Sequence, residues 1–178
     1  MSFAITPATM ADAPAIAAIY EHHVLHGTAS FETEPPSAEE MGQRLAKVLS
    51  AGSPWLVARS PVGEVLGYAY ASQFRDRAAY RFAAEDSIYI RHDRRGQGVG
   101  AALLAALISA CEAAGFRQLF AVIGGAEPAS IALHARAGFT MAGRMRGIGR
   151  KHGRWLDTVY MQLPLGPGDS APPEVEPE

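Results

Sequence analysis

SIYIRHDRRGQGVGAALLAAL, residues 87–107, passes from a run suited to a β-strand, through a basic loop with glycines at alternate positions, into a long apolar helix. Gly96, Gly98 and Gly100 let a backbone turn closely around an anion. The free amides at the start of the helix point outward, and Arg94 and Arg95 add charge. The same spacing also fits a plain tight turn with solvent-facing arginines. A dinucleotide-binding loop needs a third glycine in register, where this chain has Ala101, and no GK[ST] triplet is present for an ordinary phosphate loop of the Walker type. An anion cradle of another kind is the remaining functional reading.

Outward from this segment the pattern is mixed. Phe3 to Thr6 predicts a first strand; Ile16, Ile19, Tyr20 and Val24 follow at helical spacing from Asp12 to Gly27. Ser37 with Glu40 forms a capping box for a second helix, with Leu45, Val48 and Leu49 as its apolar face. Strands are expected over Trp55 to Arg59, Val65 to Gln73 and Ser87 to Arg91, the first two joined by the turn SPVGE. Leu103, Leu104, Leu107, Ile108 and Cys111 mark the buried stripe of a third helix ended by Gly115. A strand over Gln118 to Ile123, a short helix ending at Gly138, and strands over Phe139 to Ile148 and Trp155 to Leu163, the last packing Trp155, complete the order.

The chain has 178 residues, enough for one domain with a sizeable core, and 48% hydrophobic against 19% charged residues argues against disorder except at the ends. A formal charge of -2 offers no general attraction to nucleic acid or to an anionic membrane, so an anionic ligand must be held locally. The single cysteine, Cys111, excludes an intramolecular disulfide and a thiolate-rich metal site; on its helix stripe it reads as core. His22 and His23 are adjacent but join no compact ligand set, so no metal is expected. Neither a leader pattern nor a run of about 20 apolar residues is present, and a cytoplasmic location is the expectation.

The loop RRGQGVG resembles the Arg/Gln-x-x-Gly-x-Gly/Ala loop of the GNAT family of N-acetyltransferases, matched by Arg95, Gly98 and Gly100. The similarity runs from about Phe3 to Leu163 and looks closest to the phosphinothricin and methionine sulfoximine acetyltransferase branch. It rests on TASFETEPPS at 28–37, FRDRAAYRFAAEDSIYI at 74–90, VIGGAEPASIALHARAGF at 122–139 and KHGRWLDTVYMQ at 151–162. It implies an α/β domain with the acyl-CoA N-acyltransferase fold of that family, in which helices flank a mixed, mostly antiparallel central sheet. The domain is expected over residues 1–163, with a Pro- and acid-rich mobile tail over 164–178. The implied activity is transfer of acetyl from acetyl-CoA, without a metal, to the amine of a small anionic amino acid such as methionine sulfoximine or phosphinothricin. A homodimer is implied by the resemblance alone. An acetyltransferase for a protein N-terminus, a polyamine or another small amine, and a non-enzymatic acyl-CoA-binding regulatory module, are the alternatives.

Acetyl transfer needs a neutral amine near the thioester, a route for its proton and stabilisation of the oxygen that becomes negative. Glu85, expected just before the strand SIYI, can take that proton directly or through water, and Asp86 faces differently if the segment is extended. The resemblance assigns the base to Glu85. His134 stands where many relatives carry a tyrosine taken to protonate the departing thiolate; a packing histidine is the plain alternative. For the cosubstrate the resemblance implies Ile88, Tyr89 and Ile90 on the strand, Arg95, Gly96, Gln97, Gly98, Val99 and Gly100 on the loop, and Glu127 and Ser130 beyond.

For the acceptor, the guanidinium forks of Arg75 and Arg77 can clamp a carboxylate or phosphinate if their loop bends. Phe31 can close the pocket, Glu32 meet the ammonium and Tyr80 supply an aromatic wall, and the resemblance implies Lys151 and His152 as secondary candidates. Two positions depart from the family pattern. Glu127 replaces a frequent Asn and cannot donate that amide's hydrogen bond when ionised, and Ala83 lacks the hydroxyl of a frequent Thr.

Overall fold

A computed structural model describes residues 2–173 and 175. Seven strands, β1 (Ala4–Pro7), β2 (Trp55–Arg59), β3 (Val65–Gln73), β4 (Ala83–Ile90), β5 (Gln118–Gly124), β6 (Thr140–Lys151) and β7 (Arg154–Pro164), form one sheet in the order β1-β2-β3-β4-β5-β7-β6. Every neighbouring pair is antiparallel except β4 with β5. Alternation along the strands sorts the apolar residues onto two faces. Helices α1 (Ala13–His26) and α2 (Ala38–Ser50) cover one face, where Ile16, Tyr20, Val24 and Leu45 pack on Trp55, Val57 and Tyr68. On the other, α3 (Val99–Ala113) lays Leu103, Leu104, Leu107 and Cys111 on Leu66, Ala69, Leu119 and Val159, and α4 (Pro128–Arg136) lies beside it. Each fully buried leucine of that stripe contributes about 1.5–3 kcal/mol.

Local chemistry sets the helix ends. The Ser37 hydroxyl accepts from the Glu40 amide at 3.2 Å and the Glu40 carboxylate accepts from the Ser37 amide at 2.7 Å, the reciprocal cap expected for α2. Gly27 closes α1 through its amide on the His23 carbonyl, and Gly115, at φ 87°, follows α3. Cys111 is fully buried, and burial pushes its thiol up to about 12, so it is core and no nucleophile. Among the described residues no helix is long and apolar enough to cross a membrane.

Four expectations need correction. β4 begins at Ala83, not Ser87, because pairing with both β3 and β5 holds its alanine- and acid-rich start extended; Glu85 and Asp86 therefore lie inside the strand. Leu49 is 38% exposed, outside the stripe that buries Met41 and Leu45. Trp155 is 66% exposed, standing beside the turn of the β6–β7 hairpin with the Arg150 guanidinium 5.5 Å from its ring. The folded part also passes the expected boundary at 163. Leu165 is 2% exposed in the core under α3, its amide bonds the Arg117 carbonyl, and the Arg117 side chain reaches the carbonyls of Gly168 and Pro172. Residues 174 and 176–178 of the expected tail lie outside the described residues.

Candidate active site

β4 pairs with β3 along its length, but with β5 only from Ala83 to Asp86, opposite Gln118 to Ala121. Beyond Asp86 the two strands part. The Ala83 carbonyl accepts from Phe74 and the Arg91 amide donates to Leu66, so odd-numbered residues of β4 turn their main chain to β3. Ile88 and Ile90 consequently turn theirs into the gap beside β5. The Ile90 carbonyl is taken by His23 Nε2 at 2.9 Å, which leaves the Ile88 amide and carbonyl and the Ile90 amide as the edge of an unfinished ladder. Tyr89, expected with them, is on the opposite face with its ring against Tyr20, His23 and Tyr68.

The basic loop follows directly. Gly96 and Gly98 have φ of 72° and 82°, conformations that glycine adopts without cost, and Gly98 is the N-cap of α3. Ala102 is the first amide bonded back into the helix, to Gly98, so the amides of Val99, Gly100 and Ala101 point out of its start. Val99 anchors that start with a side chain 1% exposed. Gly100 departs from expectation: it is an ordinary helical residue, and a Cβ there would meet Leu133 at 3.6 Å, normal contact. Arg95 is exposed beside the cradle, Arg94 is half-buried, and the Gln97 side chain folds back onto the Asp93 carbonyl at 3.3 Å. The residues present fit a diphosphate at the helix start and an extended amide-bearing arm along the gap.

Glu85 points to the α1/α2 face, its Oε2 3.9 Å from Nη1 of Arg75. Burial raises its pKa, with Arg75 opposing and Asp86 reinforcing the shift. The Arg75 guanidinium lies 4.0 Å over the Phe74 ring and donates to the Phe74 carbonyl at 2.7 Å. The loop does bend, since the Arg77 amide reaches the Arg75 carbonyl at 2.9 Å, and both arginines are exposed. Tyr80, also exposed, meets Phe74 edge to face at 6.1 Å.

The segment holding Phe31 is strapped down on several sides. The Phe31 ring lies against Gly149, where a Cβ would overlap it. Lys151, 5% exposed, donates to the Ser30 carbonyl at 2.8 Å, and burial lowers its pKa against the opposing pull of Glu32. His152 reaches the Gly27 carbonyl at 3.3 Å; with Thr33, Arg150 and Gly153, these two residues line a depression of about 410 Å³.

Glu32, expected to meet the acceptor's ammonium, already has protein partners. Arg44 grips its two oxygens at 2.7 and 3.1 Å, and the Tyr20 hydroxyl, pushed up to about 12 by burial, donates to it at 2.9 Å. Partial burial works against ionisation of Glu32, yet these bonds outweigh it and hold its pKa below the ordinary value.

His134 is 4% exposed on α4, with Nε2 at 2.9 Å from Asp86 Oδ2 and Nδ1 at 2.8 Å from the Ser130 carbonyl. Ser130 thus serves His134 through its carbonyl, and its hydroxyl stands 3.4 Å from the same nitrogen. Glu127 is the N-cap of α4, its side chain making no capping bond. Asp86, Arg44, Tyr20, Ser30 and His23 were missed as site residues. Only Asp86 carried a signal, the parity that sets it opposite in face to Glu85; the others act across separations that spacing does not show. Among the described residues no cluster suits a metal ion.

Known proteins agree with this geometry. The family profile described as acetyltransferase (GNAT) domain matches residues 5–160. A phosphinothricin N-acetyltransferase of Alcaligenes faecalis is 56% identical over 92% of this chain and 83% of its own. An L-methionine sulfoximine/L-methionine sulfone acetyltransferase of Pseudomonas aeruginosa is 42% identical over 97% of this chain and 100% of its own. The crystal structure of a GNAT superfamily phosphinothricin acetyltransferase from Sinorhizobium meliloti, in complex with AcCoA, superposes with a TM-score of 0.95 at 51% identity, covering 97% of this chain and 94% of that one. Sheet order, open seam and amide cradle thus occur in a chain that belongs to the GNAT family of acetyltransferases.

Proposed function

We propose that this protein transfers acetyl from acetyl-CoA to the amine of a small amino acid carrying a second anionic or strongly polar group, with methionine sulfoximine and phosphinothricin as representatives. One observation carries it: β4 outruns its pairing with β5 by the residues after Asp86, and this free edge leads into the amide cradle of α3. At about 3.3 Å per residue, the edge from Ile90 back to Glu85 spans roughly 17 Å, room for an extended arm between diphosphate and thioester. The two acetyltransferases and the acetyl-CoA complex similar to this chain support the same substrates.

Acetyl-CoA supplies an acyl group activated as a thioester; the chain supplies position, proton transfer and charge. Amides at the α3 start with Arg95 hold the diphosphate, and main-chain groups of Ile88 and Ile90 align the arm. Glu85, with its raised pKa, accepts a proton from the acceptor's nitrogen near neutral pH. The Ile88 amide is the first free donor beyond the paired part of β4 and stabilises the carbonyl oxygen as it becomes negative. Arg75, beside Glu85, and Arg77 engage the acceptor's acidic group. His134 helps the thiolate leave. A homodimer, on family resemblance, and a cytoplasmic location, in keeping with a single cysteine, complete the proposal; sedimentation of the purified protein checks the dimer.

Thiol release measured against a panel of amines tests the assignment. Methionine sulfoximine and phosphinothricin are expected to be acetylated, and Arg75→Ala to raise KM for them about 10- to 100-fold while sparing neutral and cationic amines. Equal effects on every amine would remove Arg75 from substrate selection. Binding of acetyl-CoA without thiol release across the panel would favour a regulatory module.

A further inference from the structure

The two nitrogens of the His134 ring face groups that make an unusual demand. Nδ1 stands 2.8 Å from the Ser130 carbonyl, which can only accept, and Nε2 stands 2.9 Å from an oxygen of Asp86, an acceptor when ionised. A neutral imidazole has one N–H and satisfies one of these contacts. Filling both takes one more proton than a neutral histidine beside a carboxylate contains. The side chains are 4% and 2% exposed, so water does not take up the difference.

The extra proton lies between His134 Nε2 and Asp86 Oδ2. Asp86 Oδ1 is buried without a hydrogen-bond partner among the described residues, so His134 is the group that meets the Asp86 carboxyl. Burial works against a charged imidazole, but the bonds from Asp86 and Ser130 outweigh it and raise the His134 pKa. The groups facing the pair are few. Glu85, next to Asp86 on β4, turns to the opposite face; the Ser130 hydroxyl stands 3.4 Å from Nδ1, Cys111 approaches from α3 with its thiol kept protonated, and the Phe139 ring meets the imidazole edge-on at 5.0 Å.

Position gives the pair its relevance. Asp86 is the last residue of β4 to pair with β5, opposite Ala121, and therefore stands at the vertex of the gap. We propose that Asp86 is a positioning residue which holds His134 doubly protonated at that vertex, so that a buried positive charge is in place where the thiolate departs. This rests on the assignment of the gap to the thioester. Asp86 acts only through His134. Because both ring nitrogens are occupied, delivery of a proton from the ring requires one of these bonds to break first.

Two measurements test it. In protein with ¹⁵N-labelled histidine, the His134 ring is expected to keep both protons to a pH above the ordinary histidine range. Asp86→Asn is expected to lower that midpoint by about 1 to 3 pH units and to move the alkaline limb of the transfer rate down with it. Release of the His134 proton in the ordinary range in the unsubstituted protein would overturn the proposal, whatever the variant does. So would an Asp86→Asn rate lowered evenly at every pH, which is the mark of structural damage. Should no amine be acetylated, the proposed function fails, while the ring titration still decides the state of the pair.

Discussion

Glu85 and Asp86 are neighbours in sequence with opposite surroundings. Strand parity turns Glu85 toward the α1/α2 face, beside Arg75, and Asp86 into the other core, against His134. A base must be ionised to work, and burial keeps the Glu85 proton on to a higher pH than an exposed glutamate would, Arg75 opposing. The transfer rate should therefore climb with pH through a limb above the ordinary glutamate range, and Glu85→Gln should abolish that limb while lowering kcat about 10²- to 10⁴-fold. Calorimetric titration with acetyl-CoA should show its affinity retained. Near-normal turnover across pH would dismiss Glu85 as the base. Residue type and family pattern single out Glu85 as the candidate base; the tie between Asp86 and His134 was not legible, because the fold alone brings together positions 48 apart.

Elements were legible where turn residues bracket them. β2 and β3 run as expected because SPVGE separates two β-branched and aromatic runs. The start of β4 was not, since AAED has little strand preference and is extended only by its two neighbours. Gly149 on β6 shows how one element shapes another: its missing side chain is the notch that receives Phe31. Gly149→Ala should displace that ring and cost about 1–3 kcal/mol in urea denaturation. Combining it with Phe31→Ala should recover most of the loss, a coupling expected of groups in contact. Additive losses would mean that the ring does not occupy the notch.

At the scale of the whole molecule, two cores share one sheet, and the residues just after β7 close the larger one. Pro- and Gly-rich flanks hid this, for an isolated Leu165 among LPLGPGD gives no periodic signal. Leu165→Ala should cost about 2–5 kcal/mol by denaturant unfolding, as a buried leucine does. A loss near zero would return these residues to the tail.

The short parallel stretch has a mechanical meaning as well. Strands β1 to β4 and β5 to β7 are stitched edge to edge by four residue pairs, Ala83 to Asp86 with Gln118 to Ala121. A molecule laid along Ile88 and Ile90 is a splice across this seam, supplying rungs that the polypeptide does not make for itself. Loading should therefore slow deuterium uptake at those two amides and join the halves into a unit that melts together, by an amount that grows with free ligand over its Kd.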